Sequence, residues 1–161
     1  MIASLRVFLL VLFSGVLLAV SAHAELDFDK AIKIGSGPKT VIEFTDPDCP
    51  FCRKASHYFD SRKDVTRYVF FYPLPRHPQA KDKARYILSQ KDHAAAYHEI
   101  MSGSKDKEKS FISTAAGTKL QQEHVEIARK SKVSSTPTFM IYGRIIEGFD
   151  LKKIEEALGP K

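Results

Sequence analysis

Cys49 and Cys52 are the only two cysteines in a chain of 161 residues, and just Pro50 and Phe51 stand between them. With no other thiol available, they must pair with each other or react with a partner. A bridge over so short a loop removes little entropy from the unfolded chain and adds little stability. A strained, accessible disulfide is instead readily opened by a thiolate and closed again. Thiol–disulfide exchange is therefore the chemistry this spacing suits best, with an inert structural disulfide as the competing reading. Zinc needs about four ligands, more than the pair supplies even with His57 nearby, so no metal is expected. Covalent haem attachment needs a histidine directly after the second cysteine, where Arg53 stands. No cofactor is expected.

Exchange requires a thiolate that is exposed and stabilised. Val41-Ile42-Glu43-Phe44-Thr45-Asp46-Pro47-Asp48 reads as a buried strand and a tight turn, and the cysteines follow at the start of a helix. The unpaired N–H groups and dipole of a helix N-terminus favour negative charge on a sulfur there. Pro50 fits the first turn, where its missing N–H costs nothing. Cys49 is thus the attacking sulfur, and Cys52, one turn further in, the resolving one. Asp48 should oppose ionisation of Cys49, while Arg53 and Lys54 should favour it.

The remaining elements are arranged around this unit. Strand residues Thr40 to Thr45 are rich in β-branched and aromatic types, as a central strand flanked by helices should be. Ala55, Tyr58 and Phe59 recur at helical spacing from Cys52, giving an amphipathic helix that ends near Asp60. Val65 to Tyr72 reads as an interior strand ended by Pro73-Leu74-Pro75. Two helical stretches follow, one with Ala80, Ala84, Ile87 and Leu88 on its face and one with Ala94, Tyr97, Ile100 and Met101. Ser102 to Ser110 reads as a polar loop, and Thr118 to Lys132 is again helical. Thr138 to Tyr142 and Ile145 to Glu147 should pair as a hairpin across Gly143-Arg144. Asp150 caps a last helix that Gly159-Pro160 closes. Glu25 to Pro38 is expected to be a lead-in without regular structure, broken by Gly35-Ser36-Gly37-Pro38. This order, β-α-β, a helical block, then β-β-α, implies an α/β fold with a mixed sheet covered by helices.

The first 24 residues read as a secretory signal peptide: Arg6 provides the positive start, Val7 to Val20 the apolar run, and Ala22-His23-Ala24 an A-x-A cleavage site. The run is shorter than the ~20 apolar residues of a membrane span. Export would put the chain where disulfides persist, yet two cysteines are too few for a structural framework, which again favours a redox pair. Lys and Arg number 25 against 19 Asp and Glu, but the signs are interleaved, as in Ser104-Lys105-Asp106-Lys107-Glu108-Lys109. A solvated surface accounts for the excess, and nucleic acid is not an expected partner.

Two motifs together carry a specific resemblance. Phe-Thr-Asp-Pro-Asp-Cys-Pro-Phe-Cys at 44–52 and Val-Ser-Ser-Thr-Pro at 133–137 resemble the active-site motifs of the thioredoxin superfamily. Within it, the chain is most similar to bacterial periplasmic disulfide isomerases of the DsbC/DsbG type, from about Lys39 to the C-terminus. The resemblance implies a thioredoxin fold over 25–161, with a helical insertion at about 76–117 between the motifs. It also implies that Pro137 is cis and lies against the sulfurs, leaving the Thr136 backbone to pair with an extended substrate beside Pro50 and Phe51. Exported cysteine-containing proteins would be substrates, and a membrane electron donor of the DsbD type would keep the pair reduced. The DsbC-type isomerases also carry an N-terminal dimerisation domain, and the lead-in here is too short to supply one, so a monomer is expected.

Glu43 lies six residues before Cys49, where thioredoxin and the DsbA-type oxidases place an acid beneath the site. In an apolar strand its pKa should rise, and it could relay a proton to or from Cys52. The DsbC-type isomerases carry an apolar residue here, and a water-facing edge position is the alternative. His77, His93, His98 and His124 read as surface or half-buried structural residues. The direction of exchange stays open between a reductase or isomerase and a DsbA-like oxidase. A peptide-binding or chaperone module with incidental cysteines is the alternative from another class.

Overall fold

A computed structural model describes residues 26–160, so the signal-peptide reading falls outside the described residues. Five strands and five α-helices form an α/β fold: β1 (Ile32–Ile34), β2 (Lys39–Thr45), α1 (Pro50–Asp60), β3 (Val65–Phe71), α2 (Ala80–Ile87), α3 (His93–Met101), α4 (Ala115–Lys130), β4 (Thr138–Ile141), β5 (Arg144–Glu147) and α5 (Leu151–Leu158). The sheet runs β1-β3-β2-β4-β5. Only the β2–β3 pair is parallel; β1–β3, β2–β4 and β4–β5 are antiparallel. The parallel pair is joined through α1, as a crossover requires.

Side chains alternate across β2, which divides the core. Val41 packs on one face with Ala55 and Phe59 of α1 and with Ile154 and Leu158 of α5. Phe44 packs on the other with Phe70, and with Ala128 of α4. A third cluster holds both cysteines together with Val69, Phe71, Ala84, Ile87, Tyr97 and Ile100. Helices α2 and α3, which lie between β3 and α4, thus contribute the apolar wall against which the sulfurs are packed.

The lead-in is more regular than the sequence suggested. Ile32–Ile34 adds an edge strand antiparallel to β3, preceded by a 3-10 turn over Phe28–Lys30. Its alternation is too short to stand out. The glycines behind it permit a close crossing, since a Cβ on Gly37 would lie 2.0 Å from the Asp64 carbonyl carbon. The hairpin turn is shifted by one residue, to Tyr142-Gly143. Both have positive φ, 47° and 78°, as the turn that follows strand twist demands. Arg144 therefore belongs to β5. Helix α4 begins earlier than expected because Thr114 caps it, its hydroxyl accepting the Gly117 N–H at 3.0 Å.

His124 corrects the reading of the histidines. It is fully buried on α4, where Nδ1 accepts the Phe71 N–H at 3.0 Å and Nε2 contacts the Lys30 carbonyl at 2.7 Å. This neutral tautomer ties α4 to the end of β3 and to the residues before β1. Burial lowers its pKa to about 4. As pH falls from about 6.5 to about 4, the unfolded chain takes up a proton that the folded one refuses, so stability is lost across that window. The loss should total about 3 kcal/mol. Urea denaturation between pH 7 and pH 4, with the His124 ring followed by NMR, checks this. A His124 midpoint near 6.5 would contradict it.

Candidate active site

The site is assembled where β2 ends and α1 begins. Asp46 follows the strand; its backbone carbonyl accepts the Cys49 N–H at 3.1 Å, and its N–H points at Cys52 Sγ at 3.4 Å. Cys49 is the N-cap of α1 and Pro50 occupies the first helical position, as the sequence implied. Both cysteines are free thiols. Cys49 is only 2% exposed and Cys52 not at all, so the sulfur that the sequence casts as the attacking one is more enclosed than expected. Beside it, Phe51 is 56% exposed, with Lys54 Nζ 5.4 Å from its ring centroid.

The two sulfurs are driven in opposite directions. Cys49 falls to a pKa of about 6, chiefly because the Cys52 thiol donates to its thiolate, helped by the N–H groups of Cys52 and Phe51. Its own burial and the Asp46 carboxylate act against this. The thiol closes no cap hydrogen bond, so these amides serve the charged form. Cys52 rises well above its ordinary value, first through burial and then through the bond it gives to Cys49. One sulfur is thereby favoured as a thiolate at neutral pH, while the other is favoured as a thiol.

The second motif lies against the first. Cys49 Sγ is 3.5 Å from the Thr136 carbonyl, the Thr136–Pro137 peptide is cis, and both residues are buried. Pro137 contributes its carbonyl to the Gly148 N–H at 2.7 Å, anchoring the loop to the end of β5. The Thr136 hydroxyl is buried and makes no hydrogen bond among the described residues.

Glu43 is completely buried, which removes the edge alternative. It is not an isolated carboxyl, however. Arg67, itself buried, donates to it at 3.1 Å, and the Tyr97 hydroxyl lies 3.4 Å away. Arg67 also reaches Asp60 at 3.1 Å. The sequence hid this pairing because Arg67 stands alone in an apolar strand. Burial first, and then the Glu43 charge, push the Tyr97 hydroxyl well above its ordinary value, with Ser56 and Cys52 close by.

Charges around the rim are mutually engaged. Asp48 accepts from Lys83 at 2.6 Å, and Arg53 lies 3.6 Å away. Lys83 and Arg53 also meet Asp106 at 2.9 and 2.7 Å, in what had read as a plain polar loop. Asp48 and Arg53 are therefore engaged with these partners, and neither is a main cause of the shift at Cys49. The carboxylate that opposes its ionisation is Asp46, and its partner is His77, with Nδ1 2.8 Å from Oδ2. His77, which had read only as a surface or half-buried structural residue, meets this carboxylate because the turn after β3 carries it back over the end of β2.

Removing one partner of a buried ion pair strands the other charge, which costs about 3–5 kcal/mol. Asp60 retains some hold on Arg67, so Glu43→Gln should destabilise the fold by about 2–3 kcal/mol. Equilibrium urea unfolding tests this. A change below about 0.5 kcal/mol would show that the pair contributes little.

A family model described as a thioredoxin-like domain matches residues 26–149. The probable thiol:disulfide interchange protein DsbC of Bordetella avium is 30% identical over 123 residues, which cover 75% of this chain and 42% of that protein. The chain thus spans less than half the length of that relative. The crystal structure of a disulfide interchange protein from Neisseria gonorrhoeae has 30% identity and a TM-score of 0.68, covering 84% of this chain and all of the other. Pseudomonas aeruginosa DsbA2, at 21% identity and a TM-score of 0.58, covers 79% of this chain and 91% of the other and shares the fold. With both motifs joined at one strand end and a family model matched across most of the chain, this protein belongs to the thioredoxin-like domain family.

Proposed function

We propose that the protein is a thiol:disulfide oxidoreductase acting on exported cysteine-containing proteins, in the reductase or isomerase direction. The observation that carries this reading is the split between the sulfurs, Cys49 lowered and Cys52 raised, at one helix start. Cys49 thiolate attacks one sulfur of a substrate disulfide, and the other substrate sulfur leaves as a thiolate. Cys52 then loses its proton and attacks Cys49 Sγ, releasing the second substrate thiolate. Two electrons pass to the substrate, and the Cys49–Cys52 disulfide remains to be reduced by a membrane dithiol donor of the DsbD type.

In this reading the domain is periplasmic after removal of the first 24 residues, and works as a monomer. Thr136 and Pro137, with Pro50 and the exposed Phe51, receive the extended substrate chain, while Glu43 with Tyr97 assists proton movement at Cys52.

Reduction of insulin disulfides with dithiothreitol as reductant tests the chemistry. Cys49→Ser should fall to the uncatalysed rate, and Cys52→Ser should accumulate a substrate-linked mixed disulfide. Thiol alkylation in cells tests direction: a mostly reduced pair supports the proposal, and a mostly oxidised pair would reverse it to a dithiol oxidase. Activity retained by Cys49→Ser would remove the chemistry altogether.

A further inference from the structure

Asp46 occupies a position that the exchange chemistry does not explain. It is a fully buried carboxylate directly after the central strand, and its backbone touches both cysteines, accepting from Cys49 N–H and donating toward Cys52 Sγ. A buried negative charge beside a nucleophile that must itself become negative is unfavourable. A carboxylate with so few ways to be solvated must be heavily hydrogen-bonded to stay. Its partners are the N–H of Asp48 at 2.8 Å on Oδ1, and the N–H of Leu74 at 2.7 Å and His77 Nδ1 at 2.8 Å on Oδ2. The two backbone donors are fixed by the chain. His77 is the one side chain among these three, and its ring is partly exposed at 17%.

We infer that His77 is a positioning residue for exchange: by donating Nδ1–H to Asp46 it draws carboxylate charge away from the sulfurs and thereby sets how readily Cys49 ionises. The inference rests on the thiol-exchange reading of the Cys49–Cys52 pair. The charged and titratable groups around Asp46 are few. Cys49 and Cys52 face it from α1, His77 from the β3–α2 connection, and Arg53 is near enough to feel its charge. Asp48, Lys83 and Asp106 form a ring with Arg53. That ring balances its own charge and leaves His77 as the adjustable partner of Asp46. Hydrogen bonds to an ionised carboxylate are among the stronger ones, and losing one changes the field on a neighbouring group. His77→Leu leaves the two backbone donors in place, so Asp46 stays where it is with more of its charge turned toward Cys49.

The test is the pH dependence of iodoacetamide alkylation at Cys49 in the reduced protein, located by mass spectrometry. The variants are His77→Leu, Asp46→Asn and the double variant. Against a wild-type midpoint of about 6, His77→Leu should move it up by about 0.5–1 pH unit, slowing alkylation at pH 6 about two- to five-fold. Asp46→Asn should move it down. In the Asp46→Asn background the His77→Leu effect should vanish, because no carboxylate is left to hold. The reduction potential against glutathione should become more negative in His77→Leu, since its reduced form is less stabilised. A purely structural role would lower the melting temperature without moving the midpoint. An unmoved midpoint, or one that shifts equally with and without the Asp46 carboxylate, overturns the inference. Should His77→Leu fail to fold, His77→Gln, which withdraws the donor from the Nδ1 position, carries the same test. Failure of the exchange reading would be seen separately, as wild-type protein that does not reduce insulin.

Discussion

The coupling of the Cys52 thiol to the Cys49 sulfur at one helix start is the interaction on which the rest of the site depends. Two sulfurs at one helix start hold one proton between them once Cys49 ionises, and burial decides which keeps it. Cys52 has no exposure to water, so its charged form is penalised and it serves as a donor. Cys49 takes the negative charge because that donor and two helix N–H groups converge on it. A cysteine given only the helix terminus would gain less, and one given only burial would be inert.

The fold supplies this asymmetry through its layers. Helices α2 and α3 place Ile87, Tyr97 and Ile100 in the cluster that contains the sulfurs. The β3–α2 connection brings Leu74 and His77 to Asp46. The loop before β4 sets the Thr136 carbonyl 3.5 Å from Cys49. Beneath them the Glu43–Arg67 pair introduces an ion pair into the core at β2 and β3. Such a pair contributes modest net stability and penalises loss of either partner. It also keeps a buried carboxylate beside Tyr97 without leaving it uncompensated.

What was legible in the sequence follows from how local each signal is. The cysteine pair, the proline after it, the strand before it and the Asp150 cap are written in consecutive residues, and the structure has each in place. The partners of Glu43 and Asp46 were not legible, because Arg67 and His77 lie 24 and 31 positions away and meet them only through the parallel β2–β3 pairing and the turn beyond it. His124 read as a surface or half-buried structural residue, since nothing nearby in sequence announces that Phe71 and Lys30 will offer it a donor and an acceptor. The edge strand at Ile32–Ile34 was missed because three residues are too few to show a period. Asp48 and Arg53, adjacent to the cysteines in sequence, drew attention that belonged to Asp46. Proximity along the chain misled there because Lys83 and Asp106 engage both.

The central claim is that one sulfur ionises readily while its neighbour holds its proton. Following the Cβ carbon shifts of Cys49 and Cys52 by NMR in the reduced protein, from pH 4 to pH 10, tests it most directly. Cys49 should titrate near pH 6, and Cys52 only well above the ordinary thiol range. Titration of Cys52 first, or of both sulfurs together near the ordinary thiol value of about 8.5, would contradict it.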